Sequence, residues 1–167
     1  MIRWLIKYVV IFVVLVLIQV LFLNQMQISG YLNPYIYILF VMLLPLSAPR
    51  YIVLLSGFLI GLTVDIFSNS LGLHAAATVF IAYIRPFIIR SISDREEEIN
   101  DYPGLKQNKF SWFLYYSAVM VFFHHFILFY LEIFSFTQFF STLLRVVLSS
   151  LLSVFVIVLS QFLIFRE

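Results

Sequence analysis

Six apolar runs separated by short polar breaks set the rhythm of the chain. The first, residues 4–23, follows Arg3 and Lys7 and holds one clearly polar residue, Gln19. A polar break over 24–33 leads to Pro34, well suited to the first position of a helix with Asn33 as its cap. The second run spans 32–48 at its most generous and is closed by Pro45 and Pro49. The third (50–67), fourth (73–90), fifth (111–134) and sixth (139–165) are longer. A helix needs about 20 apolar residues to cross a hydrocarbon core about 30 Å thick. Five runs meet that requirement, whereas the second is marginal: a tilted span or a re-entrant hairpin.

Charge decides between those two. The basic residues are Arg3, Lys7, Arg50, Arg85, Arg90, Arg95, Lys106, Lys109, Arg145 and Arg166. With six spans and the N-terminus inside, all but Arg145 fall on the cytoplasmic side, as the positive-inside rule expects. A re-entrant second run would instead place the polar loop 91–109 outside. The expectation is therefore an all-α integral membrane protein. It forms one domain, residues 1–167, of six transmembrane helices in a bundle, with N- and C-termini cytoplasmic and the second span short and Pro-bounded. A cleaved leader is the rival reading of the first run, but 24–30 offers no small-x-small cleavage site, so a retained span is expected.

Composition agrees. Hydrophobic residues make up 63% and charged residues 11% of the chain, against about half and about a quarter in soluble domains. The absence of cysteine excludes disulfides, thiolate metal sites and cysteine nucleophiles. A net charge of +2 gives no reason to expect nucleic acid; membrane lipid is the implied surrounding. The D-R-E-E-E stretch ending at residue 98 reads as a solvated helical extension past the fourth span, and the abundant Phe and Tyr as lipid-facing filler and an interfacial belt.

The densest stretch is 56–74, S-G-F-L-I-G-L-T-V-D-I-F-S-N-S-L-G-L-H. Gly57, Gly61 and Asp65 share one helix face at i, i+4, i+8. Two glycines leave a groove that another helix can enter closely, and the stripe ends in a carboxylate that must face protein, water or a cation. Asn69, Ser70 and Gly72 suit a tight turn, and His74 opens the next run.

Several charged groups fall in the external half: Asp65, His74, Glu132, His125 and Arg145. Ser149, Ser153 and Ser160 lie near Arg145's stripe, so that face points into the bundle. Arg145 is expected to pair with Asp65, Glu132 or both, locking spans three, five and six, because an unpaired buried charge is strongly disfavoured. Structural bridging is the preferred role, ahead of a ligand or partner pocket and of a proton relay through His125, Glu132 and Asp65. Catalysis has no support. His124 and His125 point about 100° apart on a helix and do not form an i, i+4 metal pair, and no nucleophile-elbow, zinc-protease or phosphate-loop motif is present. Serines of the last two spans are expected to bond back to their own helices. No enzyme activity, metal or cofactor is expected.

The stretch from Gly57 to His74 resembles the signature of the rod shape-determining MreD family: paired glycines, an aspartate, a short loop, then G-L-H. Length, six runs and a polar loop between runs four and five also agree. The resemblance implies a non-catalytic scaffold subunit of the bacterial elongation complex in the inner (cytoplasmic) membrane, supporting peptidoglycan synthesis and cell shape. Implied partners are MreC, the MreB filament, RodA and the elongation-specific class B penicillin-binding protein. Gly57, Gly61, Asp65, Gly72 and His74 are the positions carried over, as helix-packing or partner-interface residues. The implied bundle is similar to the substrate-binding subunits of energy-coupling-factor vitamin transporters, which supply the alternative function. Against that alternative stands the first run, which lacks the small-residue face such subunits dock through.

Overall fold

The computed structural model describes residues 2–26, 32–93, 101–134 and 138–164, and among these it is all-helical. Arg95, the acidic run 96–98 and Arg166 lie outside the described residues, so the expected extension past the fourth span does too. The helices are α1 (Ile2–Leu21), α2 (Ile38–Leu43), α3 (Arg50–Ser68), α4 (Leu73–Ile92), α5 (Phe110–Ile133) and α6 (Phe139–Ile164). A short 3₁₀ turn, Leu23–Gln25, continues α1. Five helices are long and apolar enough to cross a membrane, which makes this a multi-pass membrane protein.

Helices α3 to α6 pack sequentially, α3 on α4, α4 on α5 and α5 on α6, while α1 lies against α3. One end of the bundle gathers the α3–α4 turn, the end of α5 and the start of α6; it is called here the Asp65 end. The other carries Arg50 at the start of α3 and Arg90 at the end of α4. The Lys7 ammonium stands 5.3 Å from the Tyr102 ring at this Arg50 end, and Gln161, near the end of α6, faces Gly104 there. The start of α1 and the end of α6 thus share a side.

The second run departs from the expected tilted helix: only Ile38–Leu43 is helical. It is not re-entrant either. Asn33, at its start, bonds to Ser149 near the Asp65 end, and Leu46 and Ser47 bond to Asp101 at the Arg50 end. The segment crosses the bundle as a short helix between non-helical flanks. As a helix, residues 33–47 would span roughly 21 Å; with extended flanks rising about 3.3 Å per residue, they reach up to roughly 35 Å. Unwinding lets a short segment cover the full thickness.

Extended backbone survives at membrane depth only when buried in protein that satisfies it, and that condition is met. Residues 36–42 are at most 5% exposed, ringed by α1, α3, α4 and α5, with α6 closing the ring through its serines. Gln19, the lone polar residue of the first run, accepts the Ile36 N–H through Oε1 at 2.8 Å and donates from Nε2 to the Pro34 carbonyl at 3.2 Å. The Tyr35 N–H donates to Ser153 Oγ at 2.9 Å and the Asn33 N–H to Ser149 Oγ at 3.4 Å.

At the far end of α2, Arg85 donates to the carbonyls of Met42 and Leu44 and to the Tyr116 hydroxyl. Tyr116 donates in turn to the Met42 carbonyl at 3.2 Å. A cation at a helix C-terminus is favourable. Arg85, counted above among the basic residues of the cytoplasmic side, is turned inward: it is 4% exposed and holds the axial segment that crosses the bundle.

Candidate functional site

The α3–α4 hairpin collects all five residues singled out from 57 to 74. Gly61 is packed so closely that a Cβ there would stand 2.5 Å from Ala75 Cα, and one at Gly57 3.2 Å from Ala82 Cβ. The glycine groove is therefore filled by this chain's own α4, through Ala75, Thr78 and Ala82, and is not open to a partner helix. The reason is complementary spacing: those three small residues lie at i, i+3, i+7 on one face of α4. The run A-A-A-T at 75–78 is the sequence signal for this partnership.

Asn69 ends α3 at φ 51°, and Gly72 precedes α4 at φ +82°, both left-handed. Gly72 sits at the N-cap of α4 but has no side chain to offer, and Asp65 supplies the missing acceptor from the neighbouring helix. Its Oδ2 accepts the Ala75 N–H at 2.8 Å, and Oδ1 the His74 N–H at 3.0 Å. Two of the amides that a helix start leaves unpaired are satisfied, by an anion at the positive end of the helix dipole. Ser70 Oγ donates to Oδ1 at 2.6 Å, and His74 Nδ1 lies 3.0 Å from the same oxygen.

Asp65 is accordingly engaged at this turn, and Arg145 takes the other expected partner. Arg145 Nη1 lies 2.9 Å from Glu132 Oε2, with its guanidinium 4.1 Å over the Phe129 ring. The pair joins α5 to α6; the lock on α3 that the Arg145–Asp65 pairing would have made is replaced by the capping of α4.

A further constellation was not foreseen. His74, His124 and His125, the chain's three histidines, converge on Tyr35 and Tyr37 of the extended segment. Ring centroids of Tyr35 lie 5.4 Å from His74, 6.1 Å from His124 and 5.2 Å from His125. Tyr37 Oη and His124 Nε2 are 2.7 Å apart. His125 Nδ1 is 2.8 Å from the Val121 carbonyl and Nε2 is 3.1 Å from Ser153 Oγ. A carbonyl only accepts, so Nδ1 carries the proton, Ser153 donates to Nε2, and Ser153 Oγ accepts the Tyr35 N–H.

This ordered chain of bonds runs α5–α6–axial segment, and it assigns His125 away from any relay with Glu132. Ser149 and Ser153 bond across the bundle, contrary to expectation, whereas Ser160 does bond back to Ile157. The tyrosines here are core groups, not interfacial ones. Among the described residues no group of His, Asp or Glu has metal-binding geometry.

Above the cluster, at the Asp65 end, a cavity of about 310 Å³ is lined by Asn24, Asn33, Tyr35, Ser70, His74 and Glu132 among others. It is bordered by the hairpin on one side and by Leu128 and Glu132 of α5 on the other. Comparison of the chain with protein-family models, with curated proteins and with solved structures finds no match.

Proposed function

We propose that the chain is a non-catalytic membrane scaffold subunit of the bacterial elongation complex, of the MreD type, supporting peptidoglycan synthesis and cell shape from the inner membrane with both termini cytoplasmic. The observation that carries the reading is the joint use of its signature positions. Gly57, Gly61, Asp65, Gly72 and His74 build one hairpin, in which close approach, turn and cap depend on one another. A signature concentrated in a packing unit suits a protein whose product is a rigid shape. The extended segment, bonded from α1, α4, α5 and α6, stiffens the same platform. Contacts with MreC, RodA, the class B penicillin-binding protein and the MreB filament fall to surfaces other than the glycine groove, which α4 occupies. The long apolar face of α1 (Val9, Val10, Val13, Val14, Leu17), exposed in the isolated chain, is available to partner helices.

One observation favours a second reading. The polar cavity at the Asp65 end matches what a vitamin-capturing subunit of an energy-coupling-factor transporter would present. Affinity purification of the detergent-solubilised chain, with co-purifying proteins and small molecules identified by mass spectrometry, separates the two. MreC and cell-wall synthases are the expected recovery. ATP-binding-cassette subunits or a bound vitamin would replace the scaffold by the transporter.

A further inference from the structure

The glycine stripe has an opposite effect at its other end. Gly61 and Gly57 bring α3 against α4, but the next place on the stripe toward the Arg50 end is Val53, where no missing side chain allows so close an approach. In α4, Pro86 has no N–H to offer the Ala82 carbonyl. The result is a cleft between α3 and α4 with a volume of about 310 Å³. Its walls are apolar, formed by Val53, Leu54, Ala82 and Phe87, and its rim carries Arg50 and Arg90. Phe87 and Tyr83 are exposed on the outer surface of the bundle, so the cleft opens sideways, where lipid lies.

Three arginines line this one apolar space. Arg85, at the back, is held by neutral oxygens of Met42, Leu44 and Tyr116, which disperse its charge without cancelling it. Arg50 and Arg90 are exposed, and among the described residues neither has an acidic partner. An apolar slot open to the membrane, with two exposed guanidinium groups at its rim, is complementary to one kind of molecule. Guanidinium binds phosphate with paired, directed N–H donors, and basic pockets between membrane helices attract anionic lipid.

We propose that the α3–α4 cleft is a specific anionic-phospholipid site, with the phosphate between Arg50 and Arg90 and an acyl chain lying along Val53, Leu54 and Phe87. A zwitterionic lipid would bring its ammonium toward the same three cations and bind less well.

The test is native mass spectrometry of the full-length protein in detergent, titrated with phosphatidylglycerol or phosphatidylcholine. Wild type is expected to retain phosphatidylglycerol about thirtyfold more strongly, the scale set by two cations at a membrane surface. The exposed double variant Arg50→Ala/Arg90→Ala should lose that preference, whereas Lys106→Ala/Lys109→Ala should keep it. Leu54→Trp, which narrows the cleft and leaves both arginines, should reduce retention if the thermal transition is unchanged. Equal retention of the two lipids by wild type, an undiminished preference in Arg50→Ala/Arg90→Ala, or full retention in a folded Leu54→Trp would each overturn the site. Competition by glycerol 3-phosphate at the same concentration as the lipid would also overturn it, by showing a surface anion site with no use for the cleft.

Discussion

Replacing Gly61 by alanine adds one methyl group at the tightest point of the hairpin. That Cβ would meet Ala75 Cα at 2.5 Å and both Ala75 N and His74 O at 2.7 Å, all backbone atoms, so no rotamer change relieves it. The closest approach falls about 0.9 Å short of an ordinary 3.4 Å contact, and α4 must retreat by a similar amount. Asp65 Oδ2, now 2.8 Å from the Ala75 N–H, and Oδ1, now 3.0 Å from the His74 N–H, would both pass out of hydrogen-bond range. Overpacking costs about 1–3 kcal/mol, and each buried N–H left unpaired about 1–3 kcal/mol more. Partial relaxation brings the expected loss to about 3–5 kcal/mol.

For a chain of this size that is a fall of about 10 °C in Tm, measurable by circular dichroism or scanning fluorimetry in detergent. Gly57→Ala is the internal control. Its Cβ meets Ala82 Cβ and the Thr78 carbonyl at 3.2 Å, so a shift of a few tenths of an ångström suffices, and the change should stay within about 1 kcal/mol. A Tm for Gly61→Ala within about 2 °C of wild type, or a larger loss in Gly57→Ala, would refute the coupling of close approach to capping.

Two further outcomes follow from the bundle interior and its rim. Gln19→Leu keeps the volume of the side chain but strands the Ile36 N–H and Pro34 carbonyl, so it should cost about 2–4 kcal/mol; hydrogen exchange at Ile36 faster than in wild type locates the loss, and unchanged protection contradicts it. Reversing Glu132 to Arg should shift Tm only slightly, since its side chain is 44% exposed and exposed pairs contribute at most about 1 kcal/mol, whereas Arg145→Glu, at 16% exposure, should cost more. The double reversal should restore wild-type Tm, and a double variant no better than the worse single would show that the two groups act separately.

Much of the frame is legible in the chain because lipid imposes a simple code: long apolar runs become helices, and five of them do. Gly61, Asp65 and Gly72 are legible for a similar reason, since a missing side chain, a buried carboxylate and a positive φ each exclude most alternatives. The axial segment is not legible. Residues 36–44 are apolar on nearly every side, and a helix and a strand surrounded by protein then look alike. What distinguishes them is the supply of hydrogen-bond partners. Gln19 stands alone in the first apolar run and Ser149 and Ser153 sit in the sixth, and nothing in their spacing says they meet at one backbone. Arg85 misleads through its neighbours: beside Pro86 and Arg90 it resembles a rim anchor, although it points inward. The histidine–tyrosine cluster brings together residues from three distant stretches, and adjacency of His124 and His125 suggested divergence where the fold gives both rings to Tyr35.

The extended segment also bears on how the chain is assembled in its membrane. Tyr35 finds its acceptor in Ser153 and Asn33 finds its own in Ser149, residues synthesised more than 100 positions later. Until α6 has entered the bilayer, the second passage has bare amides and too little helix to settle in lipid unaided. Insertion therefore cannot be completed in order of synthesis. A chain truncated before α6 would lose more than its last helix; it would lose the lining that makes its second passage possible.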